Sequence, residues 1–117
     1  MADVPDILDP AALASLRDLG ADSEQDLIRE IASLFCTDAK KSLGEIGEAI
    51  GGSDAETAGR IAHRLKSSSV YIGARLVTEI ASSMERLGRD GDLAGLTEQL
   101  PKLAREVERA IQAAAKL

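Results

Sequence analysis

The sequence predicts an all-α fold, an up-down-up-down four-helix bundle with a short N-terminal capping helix. Hydrophobic residues make up 44% of the 117 residues but aromatic residues only 2%, so an aliphatic core built from good helix formers is expected. Apolar residues recur every three or four positions, and no segment alternates with the period of a strand. Short glycine-containing turns separate the helical segments, which favours antiparallel neighbours.

The first two predicted helices lie in the N-terminal part of the chain. Asp9 precedes a proline in the manner of an N-cap, so a short capping helix is expected over about Pro10–Leu19. The second helix begins after Ser23 or, equally well, after Asp22, and it runs to about Ile50. Its apolar positions form one continuous stripe: Ile28, Ile31, Phe35, Ala39, Leu43, Ile46 and Ile50.

A capping-box pattern at Ser53–Glu56 predicts the start of the third helix. The helix is expected to reach Tyr71 or Ile72 and to end at Gly73, because glycine accepts the left-handed conformation that closes many helices. This third helix carries the only histidine of the chain.

The last two predicted helices complete the bundle. The fourth covers about Ala74–Leu87, and four of its residues are expected to face the core: Leu76, Ile80, Met84 and Leu87. Gly88 and Gly91 bracket the next turn. The fifth helix covers about Asp92–Ala115, with Asp92 as its cap. Pro101 predicts a kink or a restart within it, because proline lacks the backbone donor.

Composition excludes several classes of function. The length suits one domain over residues 1–117, and the formal net charge of -6 disfavours non-specific binding to nucleic acids or anionic membranes. Cys36 has no partner for an internal disulfide and is best interpreted as a small buried hydrophobe. No apolar run approaches the ~18 residues of a membrane span. The N-terminus lacks the pattern of a secretory signal, so a cytoplasmic location is expected.

The third helix separates a core face from a chemically distinctive exposed face. At ~100° per residue, its core stripe comprises Ala58, Ile61, Ala62, Leu65, Ser68, Ser69 and Ile72. His63 lies roughly 160° from the centre of that stripe, and therefore points to solvent. The residues that share or border its face are Gly59, Arg60, Arg64, Lys66, Ser67 and Val70.

This face suits a nucleophile that reacts with a group on another protein. A neutral imidazole attacks phosphorus without a separate base, so His63 is the candidate catalytic residue. Lys66 at i+3 offers an ammonium to phosphoryl oxygens, and Ser67 at i+4 offers a small hydrogen-bond donor. Gly59 removes bulk at i−4, and Val70 adds an apolar contact, as expected where a partner docks.

The residues alone also allow interpretations of this face in which it has no catalytic role. An exposed histidine is commonly an ordinary surface residue, and a helical bundle of this kind also serves as a non-catalytic adaptor. Leu27 and Leu34 fit either the core, which is preferred, or an extension of the docking patch. The acidic residues Glu45, Glu48, Asp54, Glu56, Glu79 and Glu85 are interpreted as solvated helix faces. No metal site is predicted, because the chain has one histidine and one cysteine.

The segment around His63 resembles the signature of the histidine-phosphotransfer (HPt) family. That signature is His, any residue, Leu, Lys and a run of small residues, followed by a Gly-Ala turn; it corresponds here to 63–69 and Gly73-Ala74. Ile7–Pro10 and Leu34–Ala39 also look like the family, as does Asp54 after a glycine-rich turn. The resemblance covers most of the chain in the right order.

The resemblance implies a phosphorelay intermediate that carries a phosphoryl group between receiver-domain aspartates. His63 is then the phospho-acceptor, Lys66 contacts the phosphoryl group, and Ser67 stands where the family often has glycine. Members are not ATP-dependent kinases, and no Gly-rich nucleotide loop occurs here. The implied partners are response-regulator receiver domains and a hybrid sensor kinase, with the Mg²⁺ in the receiver domain. The chain itself is expected to be a monomer without a cofactor.

Overall fold

The computed structural model describes residue 11 and residues 24–117, with side chains from residue 28 onward in the longer stretch. Four helices follow one another: α1 (Glu24–Gly51), α2 (Ala55–Ile72), α3 (Arg75–Arg89) and α4 (Leu93–Ala114). No strand occurs in these residues, so the all-α prediction is confirmed. The predicted capping helix over 10–19 and the N-cap of α1 lie outside the described residues, except for Ala11, which is helical.

The four helices pack in a ring around one aliphatic core. Each helix lies against its neighbours in the chain, and α1 closes the ring against α4. The buried residues of α2 include those that the periodicity predicts, except that Ser68 is only partly buried, and Ala55 and Gly59 are buried in addition. Because α4 lies diagonally across the core from α2, the outer face of α2 is flanked, among the four described helices, by α1 and α3.

The ends of α2 differ from the prediction at one residue. Asp54, rather than Ser53, is the N-cap: its side chain accepts a hydrogen bond from the Thr57 backbone N–H at 3.1 Å. Hydrogen bonding from the Thr57 side chain, and secondly from its backbone N–H, holds the pKa of the Asp54 carboxyl below its ordinary value. Ser53 occupies the preceding turn with a positive φ of 59°. The C-terminal prediction is confirmed, because α2 ends at Ile72 and Gly73 adopts the left-handed conformation with φ 74°.

The buried stripe of α3 is offset from the predicted one. Its fully buried residues are Val77, Ala81, Met84 and Gly88, whereas Leu76, Ile80 and Leu87 are only partly buried. Gly88 belongs to the helix and not to the turn, which is made by Gly91 with φ 71°. Of the four residues predicted to face the core, Met84 is therefore confirmed as fully buried, and the small residues Ala81 and Gly88 join it because they allow α3 to approach α2 closely.

Of the two alternatives predicted at Pro101, a kink or a restart of the helix, the restart is wrong. α4 runs without interruption from Leu93 to Ala114 with Pro101 inside it. The Asp92 cap is confirmed, since its side chain accepts from the Gly95 N–H at 2.9 Å. Pro101 is exposed, while Leu103 beyond it is fully buried, so core packing on the far side of the proline compensates for the lost backbone bond.

Ser42 provides a test of core packing. The side chain is fully buried in α1, and its hydroxyl has no hydrogen-bond partner among the residues that the structure describes. An unpaired buried hydroxyl costs about 1–3 kcal/mol. We therefore expect Ser42→Ala to raise the free energy of unfolding by about 1 kcal/mol in urea titrations. Ser33→Ala, at an exposed position on the same helix, is the control and should change stability by much less. Destabilisation by Ser42→Ala would mean that the hydroxyl is satisfied in solution.

Candidate functional site

His63 lies on the outer face of α2, about halfway along the helix. Its side chain is 58% exposed, in agreement with the orientation that the helical periodicity predicts. The residues on the opposite side of the same turn, Ala62 and Leu65, are fully buried in the core. The rigid bundle therefore holds the histidine at its surface, where a second protein can reach the imidazole.

Glu85 on α3 makes the principal contact to this histidine. Its Oε2 lies 2.8 Å from Nδ1 of His63, and its side chain is only 23% exposed. The interpretation of Glu85 as a solvated face is therefore wrong. The residue stands 22 positions from His63 in the chain, and no local spacing connects the two. Only the antiparallel pairing of α2 with α3 brings them together.

Lys66 shares the same carboxylate. Its Nζ donates to Oε1 of Glu85 at 2.6 Å, so one carboxylate holds the histidine and the lysine through its two oxygens. The hydrogen bond from Lys66 holds the pKa of Glu85 below its ordinary value, and the bond from His63 adds to this effect. Glu85 therefore stays ionised at neutral pH and acts as an acceptor for both groups.

The contact to Glu85 determines which ring nitrogen is free. A carboxylate only accepts hydrogen bonds, so Nδ1 of His63 must carry the proton that it donates to Oε2. In the neutral ring, Nε2 then holds the lone pair. Whenever the ring is neutral, the site therefore presents Nε2 as the nucleophile, with a carboxylate behind the ring.

A close helix crossing brings α3 near enough for this contact. A Cβ on Gly88 would lie 2.6 Å from Cα of Gly59 and 2.6 Å from the carbonyl oxygen of Ala55. Gly59 is itself buried against Gly88, so a glycine is needed there first for helix packing, and not only to remove bulk beside His63 as predicted. The crossing lies one turn from His63 on α2 and about one turn from Glu85 on α3.

An open cavity of about 590 Å³ lies beside the histidine, above this crossing. This cavity, the His63 groove, is lined by Glu56, Gly59, Arg60, His63, Arg64, Glu85 and Arg89. Gly59 contributes no side chain to it, so the glycine that permits close packing also keeps the groove open. Arg89 is a groove residue that sequence reasoning missed, because it lies on α3.

The other predicted site residues are distributed around the outer face of α2. Arg60 Nη2 donates to the Thr57 hydroxyl at 3.0 Å, and Arg64 pairs with Glu45 on α1 at 2.8 Å. Ser67 is exposed, but its hydroxyl donates to the backbone carbonyl of His63 at 3.3 Å rather than to the imidazole.

Apolar residues lie on the outer surface beyond His63. Val70 is 57% exposed and lies two turns from His63 along α2. The neighbouring Tyr71 is 69% exposed, and Leu34 on α1 is 64% exposed. The preferred placement of Leu34 in the core is therefore wrong: Ala32 and Phe35 supply the buried face at that level of α1. The side chain of Leu27 lies outside those that the structure describes, so its placement in the core or in the docking patch stays a prediction.

The remaining candidates show no chemistry of their own. Cys36 is partly buried against the core, and burial raises the pKa of its thiol, which disfavours the reactive thiolate. Within the described residues, no three side chains of His, Cys, Asp or Glu gather in a way that could hold a metal ion. None of the helices over 24–117 is both long and apolar enough to cross a membrane.

An exposed imidazole held by a carboxylate beside a lysine, on the surface of a helical bundle, is suited to a protein of the phosphoryl-carrier class. The model of the Hpt domain matches residues 30–114, and the chain belongs to the Hpt domain family. Its role is histidine phosphotransfer in a phosphorelay, and proteins of this family interact with receiver domains of response regulators and with kinases.

Two solved structures share the fold. The histidine-containing phosphotransfer protein B (HptB) of Pseudomonas aeruginosa PAO1 has a TM-score of 0.86 and 24% identity, covering 94% of this chain and 92% of that one. A rice protein described as a histidine-containing phosphotransfer protein has a TM-score of 0.61 and 22% identity, covering 94% of this chain and 83% of that one. No curated protein matches the chain.

The shared carboxylate leads to a prediction about titration. Lys66→Ala removes the leading cause of the depressed pKa of Glu85, so that pKa should rise towards the ordinary value of about 4.3. With its lowered folded-state pKa, Glu85 contributes stability above about pH 4.3 that is lost as the pH falls through the folded value. The variant should lose part of this contribution. Carboxyl ¹³C NMR titration measures the change, and a Glu85 pKa that is the same in Lys66→Ala as in the wild-type protein would contradict the pairing.

Proposed function

We propose that Nε2 of His63 accepts a phosphoryl group from the aspartyl phosphate of one receiver domain and passes it to the aspartate of another. The observation that carries this proposal is the 2.8 Å contact between Nδ1 and Glu85 on an otherwise exposed imidazole. That contact leaves Nε2 as the nucleophile and directs it to the side from which a partner approaches. The proposal treats the chain as one HPt module that works as a monomer in the cytoplasm.

The chemical step requires no proton transfer. The Nε2 lone pair of His63 forms a bond to phosphorus while the bond between phosphorus and the aspartyl oxygen breaks, and the aspartate leaves as a carboxylate with the bonding electrons. The ring keeps its proton on Nδ1 and gains positive charge. Glu85 faces that proton, so its carboxylate stabilises the charge that develops on the ring. The reverse step returns the phosphoryl group by the same route.

Lys66 and Ser67 are proposed as the groups that meet the transferred phosphoryl group. The Lys66 ammonium is held at the site by Glu85 and is 30% exposed, so rotation of the side chain can bring it to phosphoryl oxygens on Nε2. Ser67 lies one turn from His63 and is small enough for a partner to approach closely. Its hydroxyl would have to leave the His63 carbonyl in order to donate to the phosphoryl group.

The docking surface is proposed to include the predicted residues Gly59, Arg60, Arg64 and Val70. The exposed apolar side chains Tyr71 and Leu34 extend it at the end of α2 away from the groove. Exposed aromatic and aliphatic residues of this size mark contact sites for other proteins. We propose no cofactor on this chain: the Mg²⁺ and the acceptor aspartate belong to the receiver domain.

Phosphoryl transfer from a labelled receiver domain tests the function. A ³²P-labelled receiver domain should pass its label to this protein, and the label should be acid-labile, as expected for phosphohistidine. Lys66→Ala should slow transfer roughly 10- to 100-fold, since an oriented charge contributes about 1.4–2.7 kcal/mol to such a step. Lys102→Ala, an exposed lysine on α4, is the matched control. Acid-stable label would contradict a phosphohistidine, and equal rates for both variants would remove Lys66 from the site.

A further inference from the structure

The His63 groove carries an excess of positive charge in an acidic protein. Its lining contains three arginines and two glutamates, whereas the formal net charge of the chain is -6. Two of the charged groups are already neutralised by partners: Arg64 pairs with Glu45, and Glu85 pairs with Lys66. The charges left to act on an approaching molecule are therefore those of Arg60, Arg89 and Glu56.

Arg60 and Arg89 are the available cations. Arg60 donates to the neutral hydroxyl of Thr57 and forms no ion pair with a described residue, although the Asp54 carboxylate lies near enough to interact with its charge. Arg89 is exposed, and within the described part of the chain it makes neither an ion pair nor a side-chain hydrogen bond. The two guanidinium groups belong to different helices, α2 and α3, and line the same groove on one side of His63. Of the two glutamates in the lining, Glu85 is paired with Lys66, so Glu56 is the one left to oppose the arginines, together with Asp54 near Arg60.

This arrangement distinguishes the two ends of the docking surface. The groove end is cationic, whereas the other end of α2 carries the exposed apolar side chains of Val70 and Tyr71. The cationic end attracts a protein that brings an aspartyl phosphate, with a charge approaching two negative units, and so favours one orientation of that protein on the docking surface.

We propose that Arg60 and Arg89 are specificity-determining residues that steer receiver domains with an acidic surface beside the phosphorylated aspartate into the His63 groove. This proposal rests on the function proposed above. Steering of this kind raises the association rate of charged partners by 10- to 1,000-fold, and it weakens steeply with ionic strength. It selects among receiver domains through the rate at which they dock, and not through the transfer step.

Salt-dependent transfer kinetics test the proposal. The second-order rate constant for transfer from a labelled, acidic-surfaced receiver domain should fall about 10-fold at low salt in Arg60→Gln/Arg89→Gln. The difference should vanish near 1 M salt, where the Debye length is about 3 Å. Glu56→Gln should act in the opposite direction and raise the low-salt rate. Lys102→Gln/Arg105→Gln removes two exposed cations from α4, and thus the same net charge, without touching the groove.

Each outcome supports or overturns steering. A fall confined to the groove variant and to low salt supports it. An equal fall in the α4 control would overturn it, because net charge alone would then set the rate. A loss that persists at high salt would also overturn it, since a short-range contact would be responsible, and so would an unchanged low-salt rate. Failure of the wild-type protein to accept any label would instead refute the proposed function. Circular dichroism verifies that the variants are folded.

Discussion

His63→Gln should reduce phosphoryl uptake from a labelled receiver domain to background. Glutamine cannot supply a nitrogen nucleophile, because its amide lone pair is delocalised. Its side-chain amide can still donate a hydrogen bond to Glu85, and position 63 is exposed, so the bundle should remain intact. Label on the purified variant and its thermal unfolding curve are the two measurements. The expected result is complete loss of acid-labile label with nearly unchanged stability.

The variant separates the proposed function from its main alternative. A helical adaptor would bind receiver domains without ever becoming labelled, and His63→Gln would then change nothing. Full labelling of His63→Gln would mean that another residue accepts the phosphoryl group. Binding of the unphosphorylated receiver domain to the variant, measured by calorimetry, provides the control that docking survives the substitution.

Gly88→Ala should strongly destabilise the bundle. The new Cβ would lie 2.6 Å from both the Gly59 Cα and the Ala55 carbonyl oxygen, which are backbone atoms that cannot rotate away. The α2 and α3 helices would have to separate, at a cost of about 3 kcal/mol, and this cost outweighs the ~1 kcal/mol by which alanine favours a helix. A melting temperature roughly 10 °C lower is the expected result.

Gly44→Ala is the matched control for this prediction. Gly44 also lies inside a helix, but nothing comes within 4 Å of a Cβ placed there, so alanine should stabilise the protein by about 0.5–1 kcal/mol. Opposite signs for the two glycines would support the close crossing of α2 and α3. Stabilisation by Gly88→Ala would contradict it. Gly88→Ala should also weaken the contact from His63 to Glu85, because that contact depends on the same helix separation.

The fold and the position of the histidine could be predicted because both depend on local sequence periodicity. The spacing of Ile61 and Leu65 sets the buried face of α2, and His63 falls on the opposite face by geometry alone. Gly73 and Asp92 terminate and cap helices through interactions with residues a few positions away. Predictions of this kind need no knowledge of how one helix packs against another.

The rest of the site depends on contacts between helices, which sequence spacing does not contain. Glu85 is 22 residues from His63, and Gly88 is 29 residues from Gly59, so neither partnership has a local signal. A glycine in the middle of a helix indicates that bulk is excluded at position 59, but only the structure identifies the buried crossing with Gly88 as the reason. Periodicity misplaces Leu34 for a similar cause, because neighbouring residues on α1 supply the core at its level.

The three consecutive serines of α2 show the same difference between contacts within a helix and contacts between helices. Ser69 is fully buried, and its hydroxyl lies 2.7 Å from the Thr78 hydroxyl on α3, so it ties the two helices together. Ser68 donates to the carbonyl of Leu65 in its own helix, and Ser67 faces outward beside His63. Three identical residues in a row therefore have three different environments, and only the outward one belongs to the candidate site.

The most direct test of the central claim is the identity of the phosphorylated atom. Two-dimensional ¹H–¹⁵N NMR of the phosphorylated protein, with ring nitrogens labelled, reports which nitrogen of His63 carries phosphorus. The geometry predicts phosphorus on Nε2, with Nδ1 still protonated and bonded to Glu85. Phosphorus on Nδ1, or on any residue other than His63, would contradict the proposed mechanism.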